Sequence, residues 1–545
     1  MKHNLLNKLA LFFISILALQ CTNPVDDVQL KIDGNSLIKY SAVFEVAEAN
    51  GGSTAGLTVE VTGEDAAAIY DLGGTKNYQV KDGMVSFGVD PHYNPTATDP
   101  VKFEVVIKGE GFVTERIPVS ILKDQFQQLR AVKVMKVQTP PPGASGVNKS
   151  TPLTGGATVD PIDVETPVGN GTSEPVKLTL PSGTSFIDAN GNAIDGANLV
   201  VSMMNYNAMD EDAVEFFPGG SLVQDNVIVD GEEMTATFIP AGFVNIEMFV
   251  SGTAVKKFSK PIAISMGISA DFQNPITSAP VKAGDMLGVY SYEVGTGKWK
   301  FEQNSAVTMV NGKLAVNFTT DHLTWFMAGA VFTAPKPTVT PKTEITFKAS
   351  WLKGSSLPVI INIYRGRTKI KDQIAAITDN GKVQFSGIMS GEYVVEVRDN
   401  ETKDVLFTGP LSIPSSHQAS ITIEIPSPAA VGPLVNMHLK IQCPNISALI
   451  TPPDFFIYYK EASSTADYKL LGLVKGGDFT TQKLDLNKKY HFKAVWGSKT
   501  KIVLNRQVST ENLLVANKNN AGKGGCGCAE AEVGLFLQEC ENFTP

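Results

Sequence analysis

The stretch "VKFEVVIKG", Val101–Gly109, decides the fold. Its side chains alternate apolar and polar with a period of two, which is the signature of a strand with one face on a core and one in water. "LTVEVTG", from Leu57, repeats the pattern. Turn formers separate such segments: Gly73-Gly74, Asp82-Gly83 and Asn94-Pro95. Long helical periodicity is absent. The 48 glycines and 31 prolines are spread along all 545 residues, as turn-rich β proteins require. The expected fold class is therefore all-β, built from tandem β-sandwich (Ig-like) domains.

A chain of this length exceeds one hydrophobic core and implies several compact units. Residues 27–124 read as an Ig-like sandwich of ordinary size. Residues 125–334 read as a larger β-rich domain, opened by the loose stretch "TPPPGASGVNKSTPLTGG" from Thr139. Within it, "VKLTLPSGTSFIDANGNAIDGANLVVSMMNY" reads as strand, turn, strand, with Asn190-Gly191 and Asp195-Gly196 as turn formers. "APKPTVTPK", from Ala334, reads as a Pro-rich linker that holds the next unit at a distance. Residues 343–425 then form a short sandwich, "IPSPAAVGP" from Ile425 a second linker, and residues 434–515 a last sandwich. Residues 516–545 form a Gly- and Cys-containing tail.

At the N-terminus Lys2, His3 and Lys8 precede the apolar run Leu9–Leu19, and Cys21 follows. An apolar run this short suits a signal-peptide core and not a membrane span. The arrangement resembles a bacterial lipoprotein signal, with Ala18 and Gln20 standing where that family prefers Leu and a small residue. The resemblance implies that residues 1–20 are cleaved and that Cys21 carries acyl chains, palmitate among them, which tether the protein to a bilayer surface. Thr22 after the cysteine implies outer-membrane sorting, facing periplasm or cell surface. Asp26 and Asp27 resemble the acidic export signal of Bacteroidota surface lipoproteins.

Other resemblances concern the sandwiches. "VTGEDAAAIYDLGGTKNYQVKDGMVSFGVDP" is similar to a module of Bacteroidota lipoproteins. Tyr292-x-x-x-x-Gly297-x-Trp299, with His322-Leu323-Thr324-Trp325, resembles a β-domain of extracellular proteins whose aromatics fill the core. "VQFSGIMSGEYVVEVRD", from Val383, resembles the carboxypeptidase-regulatory or prealbumin-like pattern, in which Gly391 turns the chain into a strand at Tyr393. "KLDLNKKYHFKAVW" resembles the end of a fibronectin type III domain, through Leu486, Tyr490 and Phe492. These resemblances together imply a multidomain cell-envelope lipoprotein.

The chemistry-bearing residues are sparse. The six histidines are His3, His92, His322, His417, His438 and His491, and the sequence contains no HExxH, no Gly-x-Ser-x-Gly and no phosphate-binding glycine loop. Asp321-His322 sits at an apolar strand end, where a packed, hydrogen-bonded imidazole is expected. Asp188, Asn190, Asn192 and Asp195 could ligate calcium through oxygen, although Ala193 and Leu199 occupy the EF-hand's Gly and Glu places. A hairpin turn rich in Asn and Asp accounts for the same residues. "MDEDAVE", with Asp210, Glu211, Asp212 and Glu215, reads as a solvated loop. Apart from Cys21, four cysteines remain, and an exported protein is expected to pair them: Cys526 and Cys528 each with Cys443 or Cys540. A Cys-x-Cys metal or redox site is the alternative. Trp299, Trp325, Trp351 and Trp496 lie in strand-like contexts that favour core packing over sugar stacking.

The formal charge of −9 comes without a basic block, which excludes nucleic acid as a partner. No catalytic residues and no cofactor are implied. The expectation is a non-catalytic, lipid-anchored envelope protein acting in adhesion, ligand binding or scaffolding, with an extracellular protein or glycan as ligand. An accessory carbohydrate-binding lipoprotein of a polysaccharide-uptake system is the second reading. A hydrolase with a diverged site in residues 125–334 is the third.

Overall fold

The computed structural model describes residues 31–33, 38–96, 99–294, 296–336, 341–442, 449–452, 454–496 and 499–516. The proposed signal, Cys21 and the four other cysteines, Cys443, Cys526, Cys528 and Cys540, lie outside these residues. Within them the protein is all-β, a series of stacked sandwiches. The only α-helix among the described residues is the four-residue Glu211–Val214.

Val101–Lys108 is a strand with its alternating apolar side chains on a core, but its other face is not left in water, since Val106 is buried there as well. This strand lies between Thr58–Thr62 and Glu115–Ile121, with Phe103, Val105 and Ile107 turned inward. The opposing sheet pairs Ser41–Glu48 antiparallel with Met84–Val89 and parallel with Gln127–Val134. Phe44, Phe87 and Phe103 meet between the two sheets. The first sandwich thus runs past the boundary expected at residue 124. Parallel pairing of strands this far apart in sequence leaves no local turn signal, so sequence could not show it.

The large unit follows. Its longest strand, Glu232–Val250, pairs along one edge with Trp325–Pro335 and along the other with Asn198–Tyr206. The stretch read as loose contains the strand Ala144–Pro152, which pairs with all nine residues of Asn198–Tyr206. It is the outermost strand of its sheet, a place that tolerates Gly, Ser and Pro, and this composition concealed it. The Tyr-Gly-Trp motif forms the hairpin Met286–Glu293 with Lys298–Val310, where Tyr292 faces Trp299. The Trp299 indole stacks on Phe217 at 4.8 Å and donates to the Pro218 carbonyl at 3.2 Å. Gly219 and Gly220 follow with positive φ, and a Cβ on Gly219 would strike the Gln224 amide. This turn therefore needs glycine.

The third unit packs Lys342–Lys348, Lys382–Ser386 and Gln418–Glu424 against a sheet of four strands from Leu357–Arg365 to Val405–Ile413. The Pro-rich segment at Ala334 does not hold this unit apart. One continuous set of buried apolar side chains runs from the large unit into it, through residues such as Ile345, Phe347, Ile361 and Val395. In the last unit the Tyr490 hydroxyl accepts from the Asp485 backbone N–H at 2.7 Å. Tyr490 and Phe492 are buried, and Leu486 packs on the same core. That hydrogen bond has the form of the corner tyrosine that pins Ig-like sandwiches. The strand Lys31–Asp33 pairs parallel with Leu449–Thr451, so the start of the described chain meets the last unit.

Candidate functional site

Where the first, large and third units meet, the short helix Glu211–Val214 projects as an acidic knuckle. Asp210 caps it, its carboxylate accepting from the N–H groups of Asp212 and Ala213. Asp212 pairs with Lys133 of the first unit at 2.7 Å. Glu215 bridges Lys133 at 3.1 Å and Lys369 of the third unit at 3.1 Å. The Tyr364 hydroxyl lies 3.5 Å from Glu211. "MDEDAVE" is therefore largely solvent-exposed, as expected, and is also a clasp between three units. The sequence carried half of the signal, a capped acidic turn, but its basic partners are 79 and 154 residues away.

Beside the clasp lies a cleft of ≈ 450 Å³ bounded by all three units. Arg130 and Lys371 line it, and both are held by backbone carbonyls. Arg130 donates to the carbonyls of Pro118 at 2.9 Å and Gly220 at 3.3 Å, and Lys371 to that of Ser386 at 2.6 Å. Burial pulls the Lys371 ammonium down to about 8, against the opposing influence of Asp225. Burial likewise lowers Arg130, with Asp372 acting the other way. Side-chain amides continue the lining. Gln128 donates to the Gln125 side chain at 2.9 Å, and Gln125 donates in turn to the Gln384 carbonyl at 3.2 Å. Such a cleft offers paired donors and acceptors to a polar ligand.

The remaining sequence candidates are dispersed. Asp188 accepts from the backbone N–H groups of Asn190 and Asn192, both at 2.8 Å, which closes the turn. Those contacts occupy the carboxylate oxygen a calcium ion would share, and the Asn190 and Asn192 side chains and Asp195 stand exposed around it. His322 is half-buried against Phe326, with Nδ1 3.1 Å from the Thr320 hydroxyl and 3.2 Å from Asp321. Its Nε2 lies 3.6 Å from Glu302, and the Ser291 hydroxyl donates to that same carboxylate at 2.6 Å. The carboxylate thus separates hydroxyl from imidazole, and no serine–histidine contact forms. Trp299 and Trp325 are core residues, and Trp351 is half-buried with its indole donating to the Ile425 carbonyl at 3.0 Å. The Trp496 side chain lies outside the described residues.

No protein-family model matches the chain, and no curated protein sequence does. Solved structures share stretches of its strand arrangement. The major pilin subunit BcpA of Bacillus cereus is 10% identical, over 71% of this chain and 99% of that one, with a TM-score of 0.13. The Bacillus anthracis TIE protein is 9% identical, over 86% of this chain and 75% of that one, with a TM-score of 0.14. A carbohydrate-binding module from Eubacterium rectale, solved with maltoheptaose, is 13% identical over 32% of this chain and 91% of its own, with a TM-score of 0.13. At these scores the likenesses carry no argument about this chain.

Proposed function

We propose that the protein is a non-catalytic, lipid-anchored envelope protein whose sandwiches form one stiff body for scaffolding or ligand binding. The observation that supports this is the acidic knuckle, which ties one unit to two others through Lys133 and Lys369. A chain of independent modules has no use for such a clasp, whereas a rigid presenter of loops and edges does. Cys21 is the proposed point of tethering, at the outer membrane, facing periplasm or cell surface. Fractionation tests the anchor: Cys21→Ala should move the protein from the membrane to the soluble fraction and abolish metabolic labelling with palmitate. Retention of label by the variant would end the lipid-anchor reading.

A second reading, glycan binding in the service of uptake, is favoured by the polar clefts between units. A glycan array on the full mature chain separates the two: reproducible binding of a defined glycan promotes it, and a blank array leaves the scaffold.

A further inference from the structure

A second cavity, of ≈ 280 Å³, lies between the outer face of the first sandwich and the large unit. Polar atoms without partners gather around it. Glu115 Oε1 and Arg116 Nε are buried and make no hydrogen bond, and both residues line the cavity. The Tyr206 hydroxyl is likewise buried and unpaired, and its ring stacks at 5.4 Å on Trp325, which lines the cavity. The Asn245 side chain, also at the wall, is buried. Each buried donor or acceptor left unpaired costs about 1–3 kcal/mol, so several around one cavity mark a place where hydrogen bonds are completed from outside the chain. The volume far exceeds the roughly 30 Å³ share of a single water and approaches the ~300 Å³ lower end of ligand pockets.

The chemistry of the lining selects the ligand. An anion is disfavoured, because the guanidinium of Arg116 is already engaged by Glu104 at 2.6 Å and Glu247 adds a further carboxylate. A metal ion is disfavoured too, since no three His, Cys, Asp or Glu side chains among the described residues converge. Burial pushes the Glu115 carboxyl up to about 8, so at neutral pH it is uncharged and can donate as well as accept. Tyr292, Trp325 and Val106 add apolar surface. A small neutral molecule with hydroxyls around its edge and C–H faces above and below matches this set.

We infer that the cavity between the first sandwich and the large unit binds one neutral sugar ring, through Glu115, Arg116 and Asn245 with Tyr292 and Trp325 as walls. The inference rests on the ligand-binding side of the proposed function and names its site. The test uses the full mature chain with methyl pyranosides of glucose, galactose, mannose and N-acetylglucosamine, and with glucuronate as the anionic arm. Saturation-transfer NMR and calorimetry provide the readouts. At least one neutral glycoside should bind with one-to-one stoichiometry. Glu115→Met and Arg116→Met, which keep the length of the side chains and remove their hydrogen-bonding atoms, should each weaken it by about tenfold, the equivalent of one hydrogen bond to a buried group. Asn245→Ala serves as a third variant if either of these fails to fold. Absence of binding by every neutral glycoside, binding indifferent to all the variants that fold, or preference for glucuronate would each overturn the inference. A stiff, non-binding body would fail this experiment while still unfolding as one unit, so the scaffold reading is tested separately.

Discussion

Glu115 holds its proton in the native state far above the ordinary carboxyl range, and that makes it a reporter. Unfolded, the group ionises near 4.5; folded, burial raises it to about 8. Between these values the native chain binds a proton that the unfolded chain has lost, so stability falls as pH rises. The contribution is complete below pH 4.5, is lost progressively up to about 8, and is constant beyond. Glu115→Gln removes the slope. Thermal unfolding from pH 4.5 to 8.5 should show the variant gaining on the parent steadily with pH, and a pH-independent difference would contradict the burial argument. Tyr490 makes a second residue-scale prediction. Tyr490→Phe deletes the acceptor for the Asp485 N–H and should cost about 1 kcal/mol in denaturant unfolding of the chain, with the slope unchanged.

Among the elements, the knuckle Glu211–Val214 carries the most consequence for its size. Glu215→Gln breaks contacts to two units at once. The side chains are partly exposed, so the loss should stay near 1 kcal/mol and shrink in high salt. Calorimetry of Glu215→Gln at low and high ionic strength checks it: equal effects at both would show that the clasp is not electrostatic. Elements also show what could be read in advance. Val101–Lys108 and the Tyr292–Trp299 hairpin were legible because the alternation and the Gly turn are local. Ala144–Pro152 was not, because its pairing partner and not its composition makes it a strand. The site was the least legible part. Lys133, Lys369, Arg130 and Lys371 look like ordinary strand-surface cations until distant strands bring the first two to the clasp and the last two to the cleft beside it. Glu115 follows the same logic, since nothing beside it in "VTERIPV" marks it as buried.

For the molecule as a whole, the sandwiches share apolar side chains as well as ion pairs. Val43, Met84 and Leu129 of the first unit meet Ile374 of the third and Phe456, Tyr458, Leu470 and Val495 of the last in one buried cluster. Leu129 and Ile374 also pair across strands of two units. Tyr459, Lys469 and Lys483 of the last unit converge on Glu401 of the third, at 2.9, 2.8 and 3.3 Å. The full chain should therefore unfold in one calorimetric transition. Phe456→Ala, which empties about one aromatic side chain from the shared cluster, should cost about 3–5 kcal/mol and separate the last unit's transition from the rest. Separate transitions in the parent protein would show that the contacts between units do not couple them.

The pairing of Lys31–Asp33 with Leu449–Thr451 has a mechanical reading. A pull applied from the N-terminal side of Lys31 does not reach the first sandwich directly; it is met first by three residues of parallel strand in the last unit. Parallel strands drawn along their length load all their hydrogen bonds together, yet only three residue pairs share the force here. Force spectroscopy on the full chain should therefore show this short seam parting before any sandwich opens. The seam would thus act as a fuse, yielding under load so that the sandwiches do not have to.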